Sequence, residues 1–326
     1  MEKRIFGKTG RSISEIGLGT WQLGTRWGTP YDREEAKRIL ETAAEAGINF
    51  IDTADVYNGG ESERSIGEYV HTHPEQFYIT TKCGRRLNPH IDECYTPAAI
   101  DGFIHDSIAR LRVQRLDMVL LHCPPTSVFA RDDIFAELER QKKKGDIADY
   151  GVSIEKVSEG LQAMEYDISA IEVIFNMFRF KPMDELFPKA AEKQVGIIAR
   201  VPLASGLLTG RYTVDTIFGP KDHRSYNREG ASFDKGETFS GVPYELGLKS
   251  VEELKAVFGT EDLAPYAIRW ILMHPEVSVV IPGASKARQL KENVRAAELP
   301  ALTDAQMQAV KEIYDRNLRE VIHPQW

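Results

Sequence analysis

Cysteine is scarce in this chain: Cys83, Cys94 and Cys123 are the only three in 326 residues. So few, so scattered, they cannot build a disulfide framework, and a reducing, cytoplasmic setting is expected. Long apolar runs are missing too. Stretches such as MVLL and VSVVI fall far short of the roughly 20 apolar residues a membrane helix needs. The opening MEKRIFGKTGRS is polar and has no apolar signal-peptide segment. Positive charge is not in excess. Lys and Arg number 41 against 49 Asp and Glu, a net charge of −8, which removes the electrostatic case for a nucleic-acid partner. Low-complexity tracts are absent, and KKK at 142–144 reads as a solvated helix end.

Two nucleotide signatures are also lacking. A doubly wound sheet should carry G-x-G-x-x-G after its first strand. Here the first apolar run continues as Gly17, Gly19 and then Gln22, with no third glycine in place. No G-x-x-x-x-G-K-[ST] loop occurs either.

What is present is the composition of a globular chain, 42% hydrophobic and 28% charged. At this length it can bury a large core unaided. One pattern recurs: a short apolar run, a turn, a segment of helical period, another apolar run. The runs are 16–20, 48–52, 77–80, 117–121, 150–154, 170–175, 195–200 and 277–282. Between them, Ala36, Ile39, Leu40, Ala43 and Ala44 mark one helix face, with Asp32 and Glu35 as a capping box and Gly47 as the stop. Ile100, Phe103, Ile104, Ile108 and Leu111 mark another, opened by Thr96 and Pro97. Eight such units predict a (β/α)8 barrel, a single domain over 1–326. A long polar, Gly-rich loop after strand seven (206–247), a helix over 303–316 and a C-terminal tail complete the reading.

In barrels the chemistry sits at the C-terminal strand ends and the loops after them. Those positions hold Asp52 and Tyr57 after strand two, Lys82 after strand three and His122 after strand four. The set suits proton transfer to a carbonyl. Lys82 would lower the pKa of Tyr57, Asp52 would hold Lys82, and His122 would orient the substrate oxygen. Cys123 adjoins His122, but neighbouring strand residues face opposite ways. A carbonyl acid still needs a hydride donor, so a nicotinamide or flavin cofactor is implied. The segment IPGASKARQLKENV after strand eight opens a helix and carries Lys286, a phosphate position in barrels. His71, His73, His90 and Cys94 lack metal-ligand spacing, so no metal is expected. Trp21, Trp27, Phe129, Phe178 and Trp326 are candidate walls of a substrate pocket.

The segments IGLGTWQLG, GINFIDTADVYNGGESERSIGEYV, ITTKCG, LLHCPP, VPLASGLLTGRY and IPGASKARQLKENV resemble the aldo-keto reductases, in order and over essentially the whole chain. The resemblance implies a barrel that reduces aldehydes or ketones with NADPH, with Asp52, Tyr57, Lys82 and His122 as its catalytic tetrad. It implies that Gly19, Thr20 and Trp21 lie beside the nicotinamide. Leu203, Ser205, Gly206 and Leu207 would wrap the pyrophosphate. Gly283, Ser285, Lys286, Gln289 and Asn293 would hold the adenosine end, with Lys286 on the 2′-phosphate. Ser153 keeps the family pattern at the carboxamide, but three neighbours depart from it: Ile154 for asparagine, Glu172 for glutamine and Arg200 for a stacking aromatic. The expected partner is a small carbonyl substrate. The alternatives are a nicotinamide-binding regulatory or accessory subunit with little turnover, and a phosphate-binding isomerase barrel.

Overall fold

The computed structural model describes residues 1–25, 29–74 and 77–326. The chain opens with an antiparallel hairpin, β1 (Lys3–Ile5) and β2 (Ser12–Ser14). Sequence reading assigned no structure here, because three-residue strands are too short to show an alternation. Each of the eight apolar runs then becomes a strand of one parallel sheet. They are β3 (Leu18–Gly19), β4 (Phe50–Asp52), β5 (Tyr78–Cys83), β6 (Leu116–His122), β7 (Ile147–Ser153), β8 (Ala170–Ile174), β9 (Gly196–Arg200) and β10 (Val277–Val280). Neighbours in the sheet follow chain order. Parallel bridges from Ile16 to Val280 and from Gly19 to Gly283 join the first strand to the last and close the barrel. Glycine is required at this seam: a Cβ on Gly19 would lie 2.7 Å from the Ile281 carbonyl oxygen.

Helices follow the strands. They are α1 (Arg33–Glu45), α2 (Glu61–Thr72), α3 (Pro97–Leu111), α4 (Asp132–Lys144), α5 (Val157–Ala163) and α6 (Leu186–Glu192). After β9 come α7 (His223–Tyr226), α8 (Tyr244–Phe258) and α9 (Ala264–Leu272), and after β10 α10 (Ala287–Val294), α11 (Asp304–Asn317) and α12 (Arg319–Ile322). The expected loop 206–247 thus contains a short helix of its own and ends inside α8. Thr96 caps α3 through the Ala99 N–H, as its position suggested. The capping box of α1 is only half formed. Asp32 accepts from the Glu35 N–H, but the Glu35 carboxylate turns away, to Arg38 and to the Ala287 N–H at the start of α10.

Strand alternation sorts the core into two layers and thereby places the site. Phe50, Met118, Leu120, Ala170, Ile198 and Val279 face the barrel interior, whose floor is filled by Phe6 and Ile13 of the hairpin. Ile51, Val119, Leu121, Ile171 and Ile197 face the helices. Counting outward in twos along each strand, the next inward positions are Asp52, Lys82, His122, Ser153, Glu172 and Arg200. All six are buried, and they form the ring at the mouth.

One buried group in the helical layer makes stability depend on pH. His274 lies against Phe175 and Trp270, and burial first, then Arg4, push its imidazole down to about 4. It stays neutral in the fold but takes a proton in the unfolded chain below about pH 6.5. Stability is therefore lost as pH falls from that value toward 4, by about 2 kcal/mol at pH 5. Chemical denaturation of His274→Gln at pH 7 and pH 5 should show a flatter dependence than the parent chain.

Candidate active site

Lys82 is fully buried and organises the mouth. Its Nζ donates to both carboxylate oxygens of Asp52, at 2.7 and 2.6 Å, and to the Thr53 carbonyl at 3.1 Å. It also donates to the Tyr57 hydroxyl at 3.2 Å. Tyr57 follows β4 in a tight turn whose next residues, Asn58 and Gly59, are left-handed (φ 51° and 64°). That turn brings the phenol back over the barrel. Because the hydroxyl accepts from Lys82, its own proton is left for a group in the cavity. The His122 ring meets the Tyr57 ring edge-on at 5.8 Å. Its Nδ1 is buried with no hydrogen-bond partner among the described residues.

Burial is the largest influence on Asp52, Tyr57, Lys82 and His122. It opposes the Lys82 ammonium, but Asp52, Glu172 and Tyr57 outweigh it and raise the lysine's pKa. Burial also raises Tyr57, and the carboxylates of Asp52 and Glu172 add to that against Lys82. The expectation of a lowered tyrosine pKa is therefore reversed: the phenol is held protonated, because burial and two carboxylates outweigh one ammonium. Asp52 is raised by burial and then by Glu172. His122 is depressed by burial and then by Arg85, Lys82 and Arg200, which keeps it neutral.

The three departures at the carboxamide position prove to be linked. Glu172 Oε2 lies 3.3 Å from Lys82 Nζ. Its other oxygen accepts from the Ser153 hydroxyl at 3.3 Å and lies 3.8 Å from Arg200 Nε. Arg200 does not project as a stacking plane. Its two terminal nitrogens reach Glu155 at 3.0 Å and Glu237 at 3.1 Å, and it donates to the Ile154 carbonyl at 3.0 Å. Arg85 meets the same two carboxylates, at 3.4 and 3.1 Å. Ile154 contributes only backbone to this arrangement; its side chain packs outward beside Gly160 under α5. Burial lifts Glu155 to about 8, whereas Arg200 and Arg85 overcome burial and hold Glu237 at about 2. Cys123 has left the strand in a left-handed turn (φ 44°), and its thiol lies 3.4 Å from the Ser153 hydroxyl. Burial raises that thiol, so it offers no thiolate.

Glu237 belongs to the long segment after β9, which covers the mouth. Trp326 fastens it. The indole donates to Asp234 at 3.1 Å, stacks on the Arg179 guanidinium at 4.0 Å and fills the space over Gly236 and Gly241. Beneath lies a cavity of about 640 Å³, running from Tyr57 and His122 to Gly283 and Gln289.

The profile of the Aldo/keto reductase family matches residues 15–315. The chain belongs to the aldo/keto reductase family. It is 29% identical to an uncharacterized oxidoreductase, YqkF, of Bacillus subtilis, over 95% of this chain and 96% of that one. Among solved structures, the holo form of aldo-keto reductase AKR11C1 from Bacillus halodurans matches with a TM-score of 0.78 and 26% identity, covering 99% of both chains. The glycerol dehydrogenase AKR11B4 from Gluconobacter oxydans matches with a TM-score of 0.79 and 27% identity, covering 100% of this chain and 98% of that one. The (β/α)8 barrel is the architecture of these relatives. As an aldo/keto reductase the chain is an oxidoreductase of a family that uses nicotinamide cofactors on small carbonyl substrates. No helix among the described residues is long and apolar enough to cross a membrane.

The aldo/keto reductase cavity fits such a cofactor. The backbone of Gly283 is bare toward it: a Cβ there would find nothing nearer than Gln22 Oε1 at 3.9 Å. Ser205 and Gly206, both left-handed (φ 55° and 97°), line the cavity as well. Ser153 and Glu172 supply a hydroxyl and a carboxylate, partners for the two halves of a carboxamide. Of the residues the sequence nominated, Gly19, Thr20, Trp21, Leu203, Gln289 and Arg200 also line the cavity. Others stand behind it. Leu207 is buried against Gly247, Ser285 donates to Gln289 at 3.0 Å, and Asn293 holds the Gly283 carbonyl at 3.2 Å. Lys286 is half exposed and 3.7 Å from Glu35. Phe129 and Phe178 are core residues rather than cavity walls, and Trp326 acts through the covering segment. Trp27 lies outside the described residues. The sequence reading missed Arg85, Glu155 and Glu237. Arg85 and Glu155 follow barrel strands and could have been found by that rule, whereas Glu237 carries no local signal.

Proposed function

We propose that this chain is an NADPH-dependent carbonyl reductase in which Tyr57 is the proton donor. The observation that supports this most strongly is the contact of the Lys82 ammonium with both the Asp52 carboxylate and the Tyr57 hydroxyl, at one end of a cavity of about 640 Å³ that extends to Gly283 and Gln289. The reduced nicotinamide, when bound, supplies the hydride. Tyr57 gives its proton to the substrate oxygen, and Lys82 stabilises the phenolate left behind. Asp52 keeps Lys82 charged and in place. His122, neutral and buried, hydrogen-bonds the carbonyl oxygen and fixes its angle. Ser153 and Glu172 would grip the carboxamide, with Ser205 and Gly206 at the pyrophosphate. Gly283, Gln289 and Lys286 would serve the adenosine end. Lys286 is paired only at its exposed tip, so it can turn from Glu35 to a 2′-phosphate. Three free thiols accord with a cytoplasmic setting.

Titration with NADPH and, separately, NADH, followed by quenching of tryptophan fluorescence, tests the cofactor. NADPH is expected to bind in the micromolar range and NADH at least about tenfold more weakly, the size of one phosphate–lysine contact. Equal affinities would remove the role given to Lys286. Oxidation of NADPH upon addition of aldehydes tests turnover. Tight binding with no turnover on any carbonyl would favour the accessory-subunit reading.

A further inference from the structure

The buried lysine at the floor of the mouth has two carboxylates, not one. Asp52 chelates it from β4, and Glu172 reaches it from β8 at 3.3 Å, within hydrogen-bond reach of the Asp52 carboxyl group. Both carboxylates are all but sealed from solvent. A glutamine in Glu172's place could still grip a carboxamide, so binding alone does not explain a charge there. The Glu172 carboxyl group is set among further ion pairs. Arg200 lies beside Glu172, and Arg200 is in turn held by Glu155 and, from the covering segment, by Glu237. The result is a row of acidic and basic side chains in contact across five strands' ends: Glu155 and Glu237, Arg200, Glu172, Lys82, Asp52.

We propose that Glu172 is a second counter-ion of Lys82 and acts through it as a positioning residue. With Asp52 it holds the ammonium fully charged and keeps Tyr57 in its proton-donating form, setting the alkaline limit of carbonyl reduction. The proposal rests on the reading of Tyr57 as the acid. The charged and titratable groups facing this centre are Asp52, Tyr57, Lys82, His122 and Arg200. His122 is neutral and contributes no charge. Arg200 lies next to Glu172 and beyond Lys82, so it damps the effect of Glu172 on the phenol without cancelling it: a nearer charge in a low-dielectric mouth outweighs a farther one. The upward direction found for both Lys82 and Tyr57 agrees with this arrangement.

The test compares the parent chain with Glu172→Gln, Glu172→Asp and Tyr57→Phe. The first measurement is kcat/KM for carbonyl reduction from about pH 7 up to the alkaline limit of the fold, about pH 12, so that the limb of a raised tyrosine is reached. The alkaline limb should move down by about one pH unit in Glu172→Gln, the size of one nearby like charge removed. It should move less, in the same direction, in Glu172→Asp, whose carboxylate is withdrawn by one methylene. The second measurement needs no turnover: ultraviolet titration of tyrosinate in the cofactor-free protein, with the Tyr57→Phe curve subtracted. It should show the same downward shift. If Glu172→Gln does not fold, Glu172→Asp decides in both measurements. Limbs and phenolate midpoints that coincide with those of the parent overturn the proposal. Should Tyr57→Phe retain full turnover, the reading of Tyr57 as acid fails, and the phenolate titration still decides whether Glu172 governs its proton.

Discussion

Replacing Tyr57 by phenylalanine is expected to cut carbonyl reduction by about a thousandfold, the range of a single general acid. NADPH affinity should change little. The ring remains to face His122, and only the hydroxyl that accepts from Lys82 is lost. The loss should therefore fall on kcat. Stopped-flow or steady-state rates beside a fluorescence titration separate the two quantities. A variant that turns over at the parental rate would show that the proton comes from elsewhere, and His122 could not readily replace it, because burial and three cations hold it neutral.

Lys82→Met should have the largest effect on stability. Asp52 and Glu172 are buried around the ammonium, and removing it leaves Asp52 without a cation and Glu172 with only Arg200 at 3.8 Å, at a dry site. Breaking a buried pair from one side costs about 3–5 kcal/mol. Urea denaturation at pH 7 would register the loss, and turnover should vanish with it. Adding Asp52→Asn and Glu172→Gln to the same chain removes the stranded charges. Most of the stability should return while activity does not. Failure of the triple variant to regain stability would mean that the methionine itself, through its shape, was at fault.

How much of this was legible in the sequence follows from the range of each interaction. The eight strands showed as apolar runs because a parallel sheet is buried on both faces. Asp52, Lys82 and His122 could be picked out because each ends such a run or follows it within two residues, and the alternation along β4, β5 and β6 then points them all inward. The hairpin of residues 3–14 escaped because its strands are too short for a pattern. The half-formed capping box of α1 escaped because Glu35 finds a partner 252 residues away, at Ala287. Tyr57's acidity was misjudged because its sequence neighbours reveal Lys82 but neither its burial nor Glu172. The departures at 154, 172 and 200 were visible one by one. That two of them are a matched pair, and the third merely a backbone acceptor, needed the register of β7, β8 and β9.

The fastening of the mouth bears on how the chain reaches its final form. Arg85 and Glu237 are 152 residues apart, and Trp326 and Asp234 are 92 apart. Arg200 cannot meet Glu155 and Glu237 together until β7 and β9 have both paired with β8, which lies between them. The covering segment therefore has nothing to grip until the barrel is closed, and contacts of such sequence separation form late and slowly. An incomplete barrel would hold the four residues around Lys82 only in part and would have no roof over the groove. A ligand that spans the groove thus reads out completion of the fold: it stabilises only molecules in which the final contacts have formed, and it draws late folding intermediates toward the finished barrel by mass action.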